Sequence, residues 1–350
     1  MPAVTILMAV YNGERYLTSA LSSLLAQTFR DFDVLVIDDG STDRSAEIVE
    51  RASDARIRQI RNERNQGLTR SLNIGLRAAK GRYIARMDAD DVSHPERLAR
   101  QVAFLNAHPD HVLVGSSIRR IDGAGAVLET VRKPMADLEL RWVSMLRTAL
   151  DHSSVTFRRL APGGDPYLYD ERFVTAQDAE MWPRLLRDGK GAVLAEPLID
   201  YRVHETSVTA RRGTDQIETL GAILSELAAE TYRLDDAACA RLPNLWRVLH
   251  TDAPFDDAVF EAAMLALDDL IDNFVAKERL TPSQVRFVRA RAAGQFWVAA
   301  LRRRHAETGS RPLRAGRLLW QGRRLVPGLV RRIAHRGAEA LGRRTGIGAP

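Results

Sequence analysis

Asp33-Val34-Leu35-Val36-Ile37-Asp38-Asp39-Gly40-Ser41-Thr42-Asp43 is the stretch that decides the fold. Val34 to Ile37 form an unbroken apolar run without the alternation of a half-exposed strand, which reads as a strand covered on both faces. The acids, glycine and hydroxyls after it are turn formers, and a helix from about Ser45 to Arg51 follows. The unit recurs on either side. Val4 to Val10 is an apolar run ended by Asn12-Gly13, and Tyr16 to Leu25 spaces its apolar residues at helical intervals. Arg56 to Arg61 alternates as a third strand, Leu68 to Ala79 is helical, and Arg82 to Met87 is a fourth strand. The order βαβαβαβ predicts an α/β fold with a mainly parallel sheet and helices on both faces.

Further along, Ser93-His94-Pro95-Glu96 predicts a capping box that opens a helix running through His108. His111 to Ile121 and Ala126 to Val131, joined by Asp122-Gly123-Ala124-Gly125, predict a hairpin and so a mixed sheet. His152 to Arg159 reads as another strand. From about Arg211 to Ala300 the pattern is helical. From Leu301 it becomes arginine-rich helix broken at Gly309, Pro312, Pro327 and Gly328, and a boundary is expected near Thr209 to Thr214.

With 350 residues, 45% hydrophobic and 27% charged, the chain is long and apolar enough to bury a sizeable core. It has no stretch of the length and apolarity a membrane span needs, and Met1 to Val10 lacks a secretory leader's basic region and cleavage site. Cys239 is the single cysteine, which excludes an intrachain disulfide framework and any multi-cysteine metal site. A cytoplasmic location is expected, with metal binding left to oxygen or histidine. The net charge of +6 conceals an asymmetry: residues 301–350 hold 13 arginines and no lysine against Glu307 and Glu339, so the first 300 residues are net acidic. In this tail Leu318, Leu319, Trp320, Leu325, Val326, Leu329, Val330 and Ile333 interleave with arginines, as in an amphipathic helix on an anionic membrane. A basic helix packed on the rest of the protein is the alternative. Nucleic acid is not expected as a partner, since no RNA-binding motif accompanies the charge.

The chemistry starts with acids placed where strands end. Ligands of open α/β sheets gather at the carboxyl ends of strands, and Asp38-Asp39 follow the second strand while Asp88, Asp90 and Asp91 follow the fourth. Each group alone also fits ordinary turn and cap aspartates. Together they suit a hard divalent cation, Mg²⁺ or Mn²⁺, carrying the phosphates of a nucleotide. Neither a Gly-x-Gly-x-x-Gly after the first strand nor a Gly-x-x-x-x-Gly-Lys-Ser/Thr is present, which argues against a dinucleotide oxidoreductase or a P-loop enzyme.

Val10-Tyr11-Asn12-Gly13-Glu14, Ser23 to Thr28, Val36 to Asp43, Asn65-Gln66-Gly67-Leu68, Asp88-Ala89-Asp90-Asp91 and Ala176-Gln177-Asp178 occur in the order and spacing of glycosyltransferase family 2. The resemblance spans about residues 4–208. It implies a GT-A fold over 1–210, with a nucleotide-sugar half over about 1–110 and an acceptor half over about 111–210; the helical region over 211–300 and the basic tail over 301–350, read from pattern and charge, follow it. It implies an inverting transfer of sugar from a nucleotide-diphosphate donor, a UDP-sugar above all, to a glycan or lipid-linked acceptor in surface polysaccharide biosynthesis. The cofactor implied is Mn²⁺ or Mg²⁺, and the location the cytoplasmic face of the plasma membrane.

Carried over by position, Ala9, Tyr11 and Asp39 match the nucleotide-base pocket, with Asp38 structural. Asp88 and Asp90 match the Asp-x-Asp element, Asp90 for the metal and Asp88 for ribose or metal. Asp178 matches the catalytic base, although Gln177 stands where the family usually has Glu; an acid at a helix N-terminus is the simpler reading of the same residue. Arg70, shortly after Gly67, reaches the diphosphate or is a helix-surface arginine. His152 faces a sugar or is a buried structural histidine, and Arg202 or His204 approaches the pyrophosphate. Trp182 is core or acceptor platform. A protein that binds a nucleotide sugar without turnover is the alternative function, and it has no need of Asp178.

Overall fold

The computed structural model describes residues 1–205, 213–251 and 255–307. Contacts divide the chain into two compact units, Met1–Leu224 and Ser225 onward.

In the first unit, β1 (Val4–Val10) leads to α1 (Glu14–Leu25), β2 (Phe32–Asp38), α2 (Ser45–Arg51), β3 (Ile57–Arg61), α3 (Leu68–Ala78) and β4 (Tyr83–Asp88). The strands β3-β2-β1-β4 pair in parallel, as the repeated βα units require. All seven residues of β1 are buried, because helices cover both faces of the central strand. On one face Ile6, Met8, Val10, Val34 and Val36 pack with Leu17, Leu21 and Leu24 of α1. On the other, α3 approaches so closely that a Cβ on Gly75 would stand 2.2 Å from Leu7 Cδ1 and 3.1 Å from Ile37 Cγ1. Each fully buried aliphatic side chain contributes about 1.5–3 kcal/mol relative to exposure.

The fold then turns mixed. β5 (Val92–Ser93), α4 (Arg97–Ala107), β6 (His111–Ile121), β7 (Val127–Val131), α5 (Asp137–Ser144), β8 (Thr156–Arg158), α6 (Gln177–Asp188) and β9 (Lys190–Arg202) complete the unit. The sheet order is β3-β2-β1-β4-β8-β6-β9-β5, with β7 paired to β6. β8 runs antiparallel to both β4 and β6, and the expected β6–β7 hairpin is present. β5 pairs antiparallel with the end of β9, Val92 opposite Asp200 and Ser93 opposite Ile199, which ties the segment after β4 to residues a hundred positions later.

Two local expectations are corrected. The capping box over Ser93–Glu96 does not form, because Ser93 is drawn into β5 and its Oγ accepts from Gln27 Nε2 at 3.1 Å. Gln27 Oε1 instead takes the amide of Leu98 at 3.0 Å, satisfying the helix start from a distant loop. His152–Ser154 is a 3₁₀ turn rather than strand, closed by the amide and hydroxyl of Ser154 donating to the Asp151 carbonyl at 2.8 and 2.7 Å.

In the second unit α7 (Gly213–Tyr232, entered from the first), α8 (Asp236–His250), α9 (Asp257–Glu278) and α10 (Pro282–Glu307) follow one another. Asp235 caps α8 and Asp256 caps α9, each accepting the amide three residues on. Leu242, Leu245, Trp246, Phe260, Leu270, Phe274 and Phe296 are buried. The end of α10 includes 301–307; the rest of the basic tail lies outside the described residues. No helix among the described residues is long and apolar enough to cross a membrane.

Candidate active site

Register places the acids side by side. Val10 pairs with Asp38 and Ala9 with Asp88, so both acid groups leave the sheet next to the end of β1. The loops after β1 and β2 are laced together: the amides of Asn12 and Gly13 donate to Ser41 Oγ and Ser45 Oγ at 3.0 and 2.9 Å, and the Thr42 amide to Asn12 Oδ1 at 2.8 Å. Ala9 is buried and Tyr11 exposed at the rim.

Asp38 is structural, accepting the Ser41 amide at 2.9 Å and pairing with Arg61 at 3.2 Å. Asp39 accepts from Asn62 Nδ2 at 2.8 Å and from the amides of Gln66 and Gly67 at 2.9 Å each, so its carboxylate holds the loop that opens α3. Gly40 follows at φ +73°, and a Cβ there would stand 2.7 Å from the Arg64 carbonyl carbon. Only glycine suits both the left-handed backbone and the close approach. Arg70, on the exposed side of α3, lies 3.4 Å from Glu171.

The segment after β4 is the densest part of the site. Asp88 pairs with the fully buried Arg86 and accepts from Ser153 Oγ at 2.6 Å, while its own amide donates to that hydroxyl at 3.1 Å. Burial pushes its carboxyl up, but Arg86, His152 and the Ser153 hydrogen bond together outweigh it and hold the carboxyl below the usual range. Asp90 and Asp91 go the other way, raised first by burial and then by neighbouring carboxylates, Asp91 most strongly. Asp90 Oδ2 lies 2.9 Å from His204 Nε2. Asp91 accepts the Arg202 amide at 2.8 Å, and its other oxygen is buried without a hydrogen-bond partner.

Arg202 is buried under this loop. Its Nε donates to the Asp90 carbonyl at 2.8 Å, its Nη1 to the carbonyls of Asp122 and Gly123 at 3.0 and 3.3 Å, and its guanidinium covers the Tyr16 ring at 4.5 Å. It braces the loop from below. His204 leans on the same ring, centroids 5.0 Å apart. His152 is an internal residue, its Nε2 accepting from Arg86 Nε at 3.2 Å and lying 2.8 Å from the Tyr169 hydroxyl. Burial first, and Arg86 second, push its pKa down to about 3, so the ring is neutral.

Asp178 stands in the first turn of α6. The residue before that helix, Ala176, has φ +55°, an uncommon conformation for a side-chain-bearing residue and one that costs on the order of 1 kcal/mol. Burial pushes Asp178 up to about 6, with the nearby Asp88 adding to the rise and the Ala179 amide and Arg86 opposing it. A carboxylate poised near neutrality suits proton transfer. Trp182, one turn along, is buried against His152 and Phe157.

The structure thus brings Asp88, Asp90, His152, Asp178, Arg202 and His204 to one region, with Ala9, Tyr11 and Asp39 at the ends of β1 and β2, and leaves Arg70 beside Glu171. Sequence reading passed over Arg86, Ser153, Tyr169, Asn62 and Tyr16. Arg86 carried a usable signal, since an arginine inside a strand buried on both faces must find a partner acid.

No group of three or more metal-ligating side chains is assembled among the described residues. The residues nevertheless fit an ion held largely by its substrate. Asp88, Asp90 and Asp91 crowd three carboxylates into four residues, Asp90 and Asp91 are raised by burial and by their neighbours, and a cation would offset that mutual repulsion.

The profile of "Glycosyl transferase family 2" matches residues 5–152. A putative glycosyltransferase of Bacillus subtilis, EpsE, is 32% identical over 245 residues, which is 67% of this chain and 84% of that one. Among solved structures, S. aureus TarS 1–349 in complex with UDP-GlcNAc superimposes with TM-score 0.55 at 19% identity, over 88% of this chain and 93% of that one. The mannosyltransferase PcManGT of Pyrobaculum calidifontis, in complex with GDP-Man and Mn²⁺, gives 0.51 at 20% identity, over 93% and 80%.

Proposed function

The chain belongs to glycosyl transferase family 2, and from that premise we propose that it moves a sugar from a nucleoside-diphosphate donor, a UDP-sugar, to a hydroxyl of a glycan or lipid-linked acceptor in surface polysaccharide biosynthesis, inverting the anomeric centre. The observation that carries this reading is Asp178, a carboxyl raised to about 6 and placed near the acids that follow β4. A protein that only bound the donor would have no use for such a base.

In this reading the base of the nucleotide lies along Ala9, Tyr11 and Asp39, and Asp88 reaches the ribose. Asp90 and His204 would hold Mn²⁺ or Mg²⁺ together with the diphosphate. That ion, when bound, supplies Lewis-acid stabilisation of the departing diphosphate. Asp178 takes the proton of the acceptor hydroxyl as its oxygen bonds to the anomeric carbon, opposite the breaking bond to the phosphate oxygen. The proton then passes to solvent. Arg202 and His152 act from beneath, Arg202 by bracing the segment that bears Asp90.

A panel of UDP- and GDP-sugars, incubated with Mn²⁺, with Mg²⁺ or with chelator, tests the proposal through release of nucleoside diphosphate and the anomeric configuration of the product. Metal-dependent release from one donor with inversion is expected. Binding of a donor without release or transfer, across a range of saccharide acceptors, would overturn it in favour of a binding protein.

A further inference from the structure

Arg86 sits on β4 in the middle of the sheet, and its side chain is completely buried. A cation in that position is tolerated only where partners compensate it. Its Nη2 pairs with Asp88, its Nε donates to His152 Nε2 at 3.2 Å, and its Nη1 is buried without a hydrogen-bond partner. The backbone is pinned as well: the Arg86 amide donates to the Val155 carbonyl at 2.9 Å, and its carbonyl accepts from Arg97 Nη2 at 2.8 Å.

Arginine only donates, so His152 Nε2 is an acceptor and the neutral ring carries its proton on Nδ1. The Tyr169 hydroxyl, 2.8 Å from the same nitrogen, therefore also donates to it. The rings of His152 and Tyr169 both meet Trp182 edge to face, with centroids 5.8 and 6.2 Å away. Trp182 is four residues after Asp178 on α6 and so lies on the same face of that helix. A continuous line of contacts thus joins the Asp88 carboxylate to the helix that bears Asp178, and one guanidinium is its first link.

We propose that Arg86 is a positioning residue for sugar transfer, fixing the Asp88 carboxylate and, through His152, Tyr169 and Trp182, setting the spacing between the acid segment and Asp178. The inference rests on the transferase reading and adds to it the residue that aligns the two sides of the reacting centre. Transfer rates are steep in such alignment, since a misplacement of about 1 Å costs on the order of a hundredfold. Without Arg86, Asp88 keeps only Ser153 as a side-chain hydrogen-bond partner, and His152 loses one of the two donors to its Nε2. Lysine would keep a charge beside Asp88, but its single ammonium lacks the planar fork that reaches both Asp88 and His152.

The test compares the wild-type protein with Arg86→Lys, Arg86→Met and Tyr169→Phe, using the nucleotide sugar that the wild type turns over, with folding checked by thermal melting and UDP affinity by calorimetry. Arg86→Lys and Tyr169→Phe are expected to lose about 5–50-fold in kcat while donor KM and UDP affinity stay within about threefold, and Arg86→Met to lose at least about a further tenfold. A folded Arg86→Met with wild-type kcat, equal losses in the Lys and Met variants, or a loss confined to KM would overturn the role. Should Arg86→Met fail to fold, Arg86→Lys and Tyr169→Phe decide by the same kcat and KM criteria. A wild type that turns over no donor overturns the transferase reading and this inference with it, whereas wild-type turnover with unaffected variants overturns the role of Arg86 alone.

Discussion

Asp90 Oδ2 and His204 Nε2 lie 2.9 Å apart although 114 residues separate them in the chain. The pair is where a divalent cation would find a carboxylate and an imidazole together, so its removal is predicted to act on metal binding first. Asp90→Ala is expected to abolish transfer, and His204→Ala to raise the Mn²⁺ concentration needed for half-maximal rate by about tenfold or more, in line with the loss of one ligand. Asp88→Ala should be severely impaired. A metal titration of donor release measures all three, and an Asp90→Ala protein with wild-type rate and metal dependence would remove the metal assignment.

Asp178→Asn keeps the shape of the side chain and removes its ability to take a proton. The turnover number is expected to fall by about a hundredfold or more, with donor affinity nearly unchanged. Should affinity collapse along with turnover, Asp178 is structural.

The pH dependence follows from the same carboxyl. Its pKa is raised to about 6, so it is protonated and idle below that value and ionised above it. The rate should rise with pH through about 6 and level off near 7, instead of levelling near 4 as for an ordinary aspartate. A rate profile in buffers of constant ionic strength reads this directly, and a rising limb centred near 4 would contradict it.

Gly75→Ala should destabilise the first unit by about 1–3 kcal/mol, because the new methyl meets Leu7 at 2.2 Å in a place where Leu7 is itself buried. Denaturant melts of the two proteins measure the difference, and a shift of less than about 0.5 kcal/mol would mean that α3 moves away without cost.

The basic tail predicts anionic-membrane binding that the first 300 residues do not need for chemistry. Each arginine near an anionic surface contributes about 1 kcal/mol, and 13 of them fall in residues 301–350. The full-length protein should sediment with anionic vesicles at low salt and less at high salt, while a protein lacking residues 301–350 should not sediment and should retain its donor turnover. Equal sedimentation of both would exclude the tail from any membrane role.

The parallel half of the sheet was legible because burial on both faces leaves its mark in the sequence as uninterrupted apolar runs such as Val34–Ile37. The acids were legible for a related reason, since strand ends are where the chain leaves the core and polar side chains can gather. Ser93 was misread because distant partners, Gln27 and β9, claim it, and His152 because a local turn, closed at Ser154 by the Asp151 carbonyl, precedes the strand. Ser153 and Tyr169 were missed because no local pattern distinguishes a buried polar side chain from an exposed one, and Arg86 because its place in a doubly covered strand calls for partners without naming them. Their partners lie between 17 and 66 positions away along the chain.

The short pairing of β5 with β9 also has a consequence for how the protein is made. The segment Asp88–Asp91 leaves the ribosome long before Asp200 and Arg202, whose backbone and side chain hold it in place at a separation of about 111 residues. Until β9 docks, three acids hang from the end of β4 with no Arg202 beneath them and no His204 beside them. The N-terminal βα units can therefore gather their own core early, whereas competence at the acid segment is the last feature of this unit to arrive, and a nascent chain shorter than about 205 residues should carry the parallel sheet without a finished site.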